Sequence, residues 1–530
     1  MSKKLAILIA ALAVLAAIGL TAVGPQNPGT RARLGGAAAS PAAVEWSAPV
    51  TISRPNQHST APVLSLDAKG QAYVSWTEWT GAAWARNMMF GTNAGGAWKP
   101  ALVVAPLDYD SIDDVGFPTV AATPSGAAWV AYHDADFALN HMIIKGARYA
   151  DGAMGPAVNI SQTPGATSYV VLGVSPLDET LHATWMDNTA REWDLVTRFR
   201  DGITGQWVEP DFLPFQRNIS KATYQIQHFA FDPRGTAHLV YQTRFDKAQV
   251  WYTQNRTPKN LATWTEPFNV APNTLLSDVL PRVQADADGD AYVVWHEIVN
   301  GNEEALLRRT VSGAWQATEN ISQSAAASQN PSVAVDPASK EIFVVWQEQA
   351  AGSFWDIFLN SYLKQAGTGA FAWTGPVNLT KTAGRSLEPY IAATAGGNLY
   401  LVYQEEVPGS GGKAAILFTS KVTPPKPKLQ APLSPALKTQ INRVLFAARK
   451  ANVVTFAANE ANDAATLQEY RVYRRLAQDP DETFSLVATL GLGTFGYKDA
   501  NLSTKFKYAY QVGIVNKDGE EKRTDVVLEK

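Results

Sequence analysis

The chain has 530 residues, 46% hydrophobic and 18% charged, with a formal net charge of −3. This composition excludes general disorder, and the charge gives no reason to expect nucleic acid or an anionic membrane surface as partner. There is no cysteine, which excludes disulfides, thiolate-held zinc, a thiol nucleophile and a lipid-modified cysteine anchor. In chain order, Lys3 and Lys4 precede an apolar run from Leu5 to Val23. Residues 1–23 read as a signal peptide or an N-terminal membrane anchor, and both place the remainder outside the cytoplasm. The expected protein is secreted, or touches the membrane only through that segment. Residues 24–43, rich in Pro, Gly and Ala, read as a linker.

Seven times along residues 44–422, a strand-like run ends in a bulky aromatic: Trp76, Tyr132, Trp185, Tyr241, Trp295, Trp346 and Tyr403. The spacings run from 51 to 57 residues, and a period of this size marks a repeat architecture. Each unit suits a four-stranded blade. The first run often starts at proline, as in Pro62, Pro118, Pro281, Pro331 and Pro389. A turn rich in Asp and Gly follows, then the β-branched run carrying the marker. A third run comes next, and a Trp-led edge such as Trp373-Thr374-Gly375-Pro376-Val377-Asn378 closes the unit. No closing edge follows Tyr403. A spare copy, Glu45 to Ser53, precedes the first repeat and is expected to pair beside Ile416-Leu417-Phe418. The fold class predicted is all-β: a seven-bladed β-propeller closed by its N-terminal strand, which leaves no long free edge. The other reading of the pattern is an open array of hairpins.

Residues 423–435 form a Pro-rich, extended linker. Residues 436–530 carry alternating runs such as Tyr470-Arg471-Val472-Tyr473 and Tyr508-Ala509-Tyr510-Gln511-Val512, which suit a small β-sandwich. They resemble a fibronectin type III domain, with Tyr508 at the position of that family's tyrosine corner and Phe456 in place of its early Trp. Such modules are spacers or adhesion units.

Residues 44–422 resemble the sialidase-like, or BNR-repeat, propellers of exported bacterial proteins. The pattern that carries this is P-x-V-x-x-D-x-x-G-x-A-Y-V-V-W-x-E followed by W-x-x-P-V-N-I-S. Departures bear on activity. The family's Asp box is not intact, the repeats number seven against the six blades of sialidases, and the arginine-bearing Phe/Tyr-Arg-Ile-Pro motif is missing. The expectation is therefore a non-enzymatic binding or scaffold protein of the envelope or exterior, with a glycan or protein partner. The alternative is a sialidase-like glycoside hydrolase, which needs two carboxylates ~5–9 Å apart.

Candidate ligand-binding residues lie two positions after each marker: Glu78, Asp134, Asp187, Glu297, Glu348 and Glu405, with Thr243-Arg244 in the remaining repeat. Grouped at one rim they suit a cation or sugar hydroxyls. A feature repeated in every unit also suits a purely internal role, each carboxylate accepting hydrogen bonds from its own blade. Trp79 and Phe137 are the aromatic candidates for stacking on a ligand, while Trp84, Trp193 and Trp355 read as packing between blades. Asp286-Ala287-Asp288-Gly289-Asp290 looks like half a calcium loop, but lacks the downstream glutamate and aligns with an ordinary hairpin turn. No cofactor and no catalytic residue is assigned.

Overall fold

The computed structural model describes residues 45–81, 85–107, 118–136, 139, 141–189, 193–212, 227–244, 248–272, 274–276, 279–349, 354–365, 368–422, 429–444, 447–462, 464–480 and 483–530. The predicted targeting segment and linker, residues 1–43, lie outside them, as do Phe137 and Trp84. The chain divides into two compact units, residues 44–425 and a C-terminal unit beginning at 426. No α-helix occurs among the described residues, and no helix there is long and apolar enough to cross a membrane.

Among the described residues, seven antiparallel sheets of four or five strands follow one another between 50 and 421. The sixth shows the pattern: Ser328–Val335, Ile342–Gln349 and Trp355–Lys364 pair in sequence, and Phe371–Trp373 and Val377–Asn378 finish the outer edge. First strands of successive sheets lie against one another. That of the seventh sheet, Ser386–Thr394, lies against that of the first, His58–Leu66, so the ring closes as a β-propeller. The sequence dictates this stacking. Both faces of each marker strand are apolar, so every sheet must be covered on two sides. Seven hydrophobic clusters each join two neighbouring sheets, and the marker aromatics lie fully buried within them.

Hydrogen bonds pin these joints. Arg198 Nη1 donates to Ile160 O of the preceding sheet at 2.8 Å, Arg308 Nη1 to Val270 O at 2.9 Å, and Asn360 Nδ2 to Ile321 O at 3.1 Å. The seam uses the N-terminal segment. Val50 pairs with Phe418 and Thr51 with Leu417, so Val50–Thr51 becomes the outer strand of the seventh sheet. Ser53 Oγ accepts from Ile416 N at 3.0 Å. Ser161, Ser322 and Thr380 make the same bond to Ile144, Ala305 and Ile357 in their own sheets. Ser53 therefore stands in the closing position that the seventh repeat lacks.

The C-terminal unit holds two sheets around one core. Leu433–Val444, Ala447–Ala457 and Gly496–Leu502 form the first. The second places Ser485–Leu490, Leu467–Leu476, Tyr508–Asn516 and Glu521–Arg523 side by side. Tyr508 Oη accepts from Ser503 N at 3.3 Å, and Phe456 packs on Tyr470.

Candidate functional site

The rim carboxylates do not converge on one pocket. Trp185 Nε1 donates to Asp187 at 3.1 Å, Trp295 Nε1 to Glu297 at 2.7 Å and Trp346 Nε1 to Glu348 at 2.9 Å. Asp187 also accepts from Thr163 Oγ1 and Thr189 N, Glu348 from Ser324 and Ser328, and Glu405 from Ser386. Glu78, fully buried, accepts from Arg54, and Asp134 from Lys145 at 2.8 Å. In the fourth sheet Trp251 Nε1 donates to Thr243 Oγ1 at 3.2 Å, and Arg244 pairs through its backbone with Ala248. Burial raises the Glu297 carboxyl, against the Trp295 bond. Trp79 is half-buried, with the Arg86 guanidinium 4.1 Å over its ring and His58 at its side.

The Asp286 turn is likewise occupied by protein partners, with Lys340 of the next sheet paired to Asp288. Asp286 accepts from Asp288 N, Asp290 N and Tyr292 Oη, while Asp290 accepts from Thr310 Oγ1, Ser312 N and Gly313 N. Carboxylates so occupied are ordinary turn and strand anchors. No cluster of metal-ligating side chains occurs among the described residues.

What converges is the start of the first strands. Ala61, Tyr169, Leu280, Asn330 and Glu388 all have positive φ, between 44° and 56°. Four of them sit at β-bulges, marked by register shifts at Thr60/Val63, Ser168/Val171, Gln329/Ser332 and Leu387/Tyr390. For a residue with a Cβ this conformation costs roughly 1–2 kcal/mol. Bulges concentrate where a sheet must re-aim a side chain, and strain of this kind clusters at functional sites. Here they surround the propeller axis and line a cavity of about 190 Å³.

Four side chains give that cavity its chemistry. His228 Nε2 lies 2.7 Å from Tyr390 Oη, and its Nδ1 accepts from Val283 N at 3.4 Å. The acceptor role of Nδ1 puts the ring proton on Nε2, so the imidazole donates to the phenol. Burial, reinforced by Arg282, pushes His228 down to about 3, so it stays neutral. The Arg282 guanidinium stacks 4.6 Å from the Tyr390 ring centroid and donates to Pro389 O at 2.8 Å. Among the described residues no carboxylate lies within ion-pairing distance of it. Glu388 accepts from Ala61 N at 2.7 Å across the seam between the seventh and first sheets. Burial raises its carboxyl above the usual range, with the Ala61 bond and Arg282 opposing. Burial likewise raises the Tyr390 phenol, with Arg282 opposing. Gln227 completes the wall. Its Nε2 donates to Tyr169 O, and its buried Oε1 has no hydrogen-bond partner among the described residues.

A pocket with an acid raised by burial, a phenol held by a neutral imidazole and a guanidinium outside ion-pairing distance of any described carboxylate can transfer protons and hold an anion. The sequence reading missed all four residues. A signal for them existed: Glu388 and Leu280 immediately precede the prolines that open the first runs, and Tyr390 and Arg282 immediately follow them.

No family model and no curated relative matches the chain. Solved structures do align along it. A protein of unknown function from Dyadobacter fermentans is 14% identical, covering 71% of this chain and 98% of its own, with a TM-score of 0.43. A polysaccharide lyase is 12% identical over 66% and 88%, with a TM-score of 0.44. The intramolecular trans-sialidase of Ruminococcus gnavus is 11% identical over 72% and 98%, with a TM-score of 0.42. Likeness at this level concerns the β-propeller architecture and transfers no residue role.

The expectation of a non-enzymatic binding or scaffold protein is corrected here. Structures that align with the chain include carbohydrate-processing enzymes, among them an α-L-arabinofuranosidase of Fusarium graminearum. The rim residues named as candidate ligand contacts are consumed internally, while titratable groups gather at the axial cavity.

Proposed function

We propose that the chain is an exported glycan-cleaving enzyme, sialidase-like in the broad sense, with its site in the axial cavity. The observation that carries this reading is Arg282: a guanidinium with no ion pair among the described residues, stacked on Tyr390 in the axial pocket. The Arg282 guanidinium feels the field of Glu388 but makes no ion pair among the described residues, and a sugar carboxylate or sulfate supplies a bidentate partner for it. Glu388 is the proton-transfer group, since burial raises its carboxyl above the usual range. Negative charge developing on Tyr390 is met by the His228 Nε2 proton and by Arg282. The buried Gln227 Oε1 accepts from a sugar hydroxyl.

In this reading the ring is a seven-bladed propeller over residues 44–422, sealed by its N-terminal strand, and residues 1–23 direct export. Residues 436–530 are a fibronectin type III-like sandwich, as the two-sheet strand order and the Tyr508–Ser503 bond suggest.

The test is cleavage of a panel of acidic and neutral oligosaccharides by the purified chain, with Glu388→Gln and Tyr390→Phe as controls. Cleavage confined to acidic substrates, and lost in both variants at unchanged melting temperature, supports the reading. Cleavage that survives both substitutions moves the chemistry out of the cavity.

A further inference from the structure

We propose that the outer face of the three-stranded sheet in the C-terminal unit docks an acidic polysaccharide. From Val407 to Asn459 the chain carries eight lysines and arginines and no aspartate or glutamate, in a protein whose net charge is −3. The strand register shows where part of that charge collects. Lys438 lies opposite Val453, which in turn lies opposite Lys498 on the third strand. Four residues beyond Lys438, Asn442 lies opposite Arg449. Strand alternation puts Lys438, Gln440, Asn442, Arg449 and Lys498 on one face, and all five are exposed. The other face carries the buried Asn452 and Val454.

The two faces treat their cations differently. Lys450, on the inner side, pairs with Glu529 at 2.5 Å, and Arg474 of the facing sheet pairs with Asp499 at 2.9 Å. Among the described residues, Lys438, Arg449 and Lys498 have no ion-pair partner and the outer face carries no acidic side chain. Two strand spacings put Lys438 and Lys498 roughly 10 Å apart, and four residues along the strand put Arg449 roughly 13 Å from Lys438. Across those separations a small anion cannot meet all three charges, whereas an extended polymer with repeated negative charge can. Gln440 and Asn442 lie between them and supply hydrogen bonds for hydroxyls. Val453 is the large apolar side chain that the register places among the charges, and it is only partly exposed, which gives a bilayer little to hold. The proposal does not depend on the axial cavity.

The experiment uses the full chain on immobilised polygalacturonate, with neutral dextran and phosphatidylglycerol vesicles as parallel arms. We expect retention on polygalacturonate, release by salt and little retention on dextran. The triple variant Lys438→Gln/Arg449→Gln/Lys498→Gln should bind roughly tenfold or more weakly at an unchanged melting temperature. Lys505→Gln/Lys522→Gln removes charge elsewhere on the same unit and should bind as the parent does. Equal binding by the triple variant overturns the proposal. So does equal retention on dextran, or binding to vesicles without binding to polygalacturonate.

Discussion

At the rim, Asp187, Glu297 and Glu348 each accept from the indole of the marker tryptophan two residues earlier, and the arrangement recurs from sheet to sheet. At the axis, Glu388 and Tyr390 come from the seventh sheet, Arg282 from the fifth and His228 from the fourth. No other sheet repeats them. The backbone device beneath them does repeat, since five first strands turn left-handed at the same place. Repetition of a side chain therefore marks what every blade needs to hold itself together. Repetition of a backbone distortion, filled by a different side chain each time, marks a shaped cavity.

That contrast breaks first at Glu388. Glu388→Gln should lower the cleavage rate by roughly 10²–10⁴-fold while leaving the melting temperature near that of the parent, as measured by initial rates and calorimetry. A stable variant with the parent's rate would place Glu388 among the structural carboxylates. The rim should behave in the opposite way. Glu348→Ala strands the Trp346 indole and two serine hydroxyls, and should cost roughly 1–3 kcal/mol in denaturant unfolding with kcat unchanged.

A third test separates burial from chemistry. His182 is fully buried among Phe199, Phe229 and Phe231, and burial pushes it down to about 3. Its unfolded value is near 6.5, so between about 6.5 and 3 the unfolded chain binds the extra proton. Stability should then fall as pH drops through that window, by about 1.4 kcal/mol per unit for each such histidine. His182→Phe should flatten the profile, measured by urea midpoints from pH 7 to 4. His228 should contribute a second share by the same sign. The smallest effect belongs to the seam. Ser53→Ala should cost about 1 kcal/mol, matching Ser161→Ala and Ser322→Ala. A markedly smaller loss for Ser53→Ala would show a looser joint there.

Much of the propeller was legible because its determinants are periodic: the marker aromatics, the Asp-Gly turns and the spare closing edge at Glu45 to Ser53 all sit at fixed offsets. The pairing of Val50 with Phe418 follows from that count. The site was not legible by the same route. Comparing repeats brings out positions that stay constant, and so it selected Glu78, Glu297 and Glu348, whose constancy is that of an internal hydrogen bond. Glu388 and Arg282 flank prolines whose neighbours differ in every repeat, and which of those neighbours meet across the axis depends on ring closure. Trp79 shows the further limit of residue type: its apolar face is covered by Arg86.

Ser47 N donates to Ser420 O, joining positions 373 apart. At ~5–20 residues per second, synthesis leaves the first strand without its partner for roughly 20–75 s. The last sheet cannot be completed, and the axial carboxylate of Glu388 lacks its Ala61 contact, until both ends of the ring have emerged. Maturation of the cavity is thus tied to completion of the chain, and a truncated product carries an open edge and an unformed pocket together.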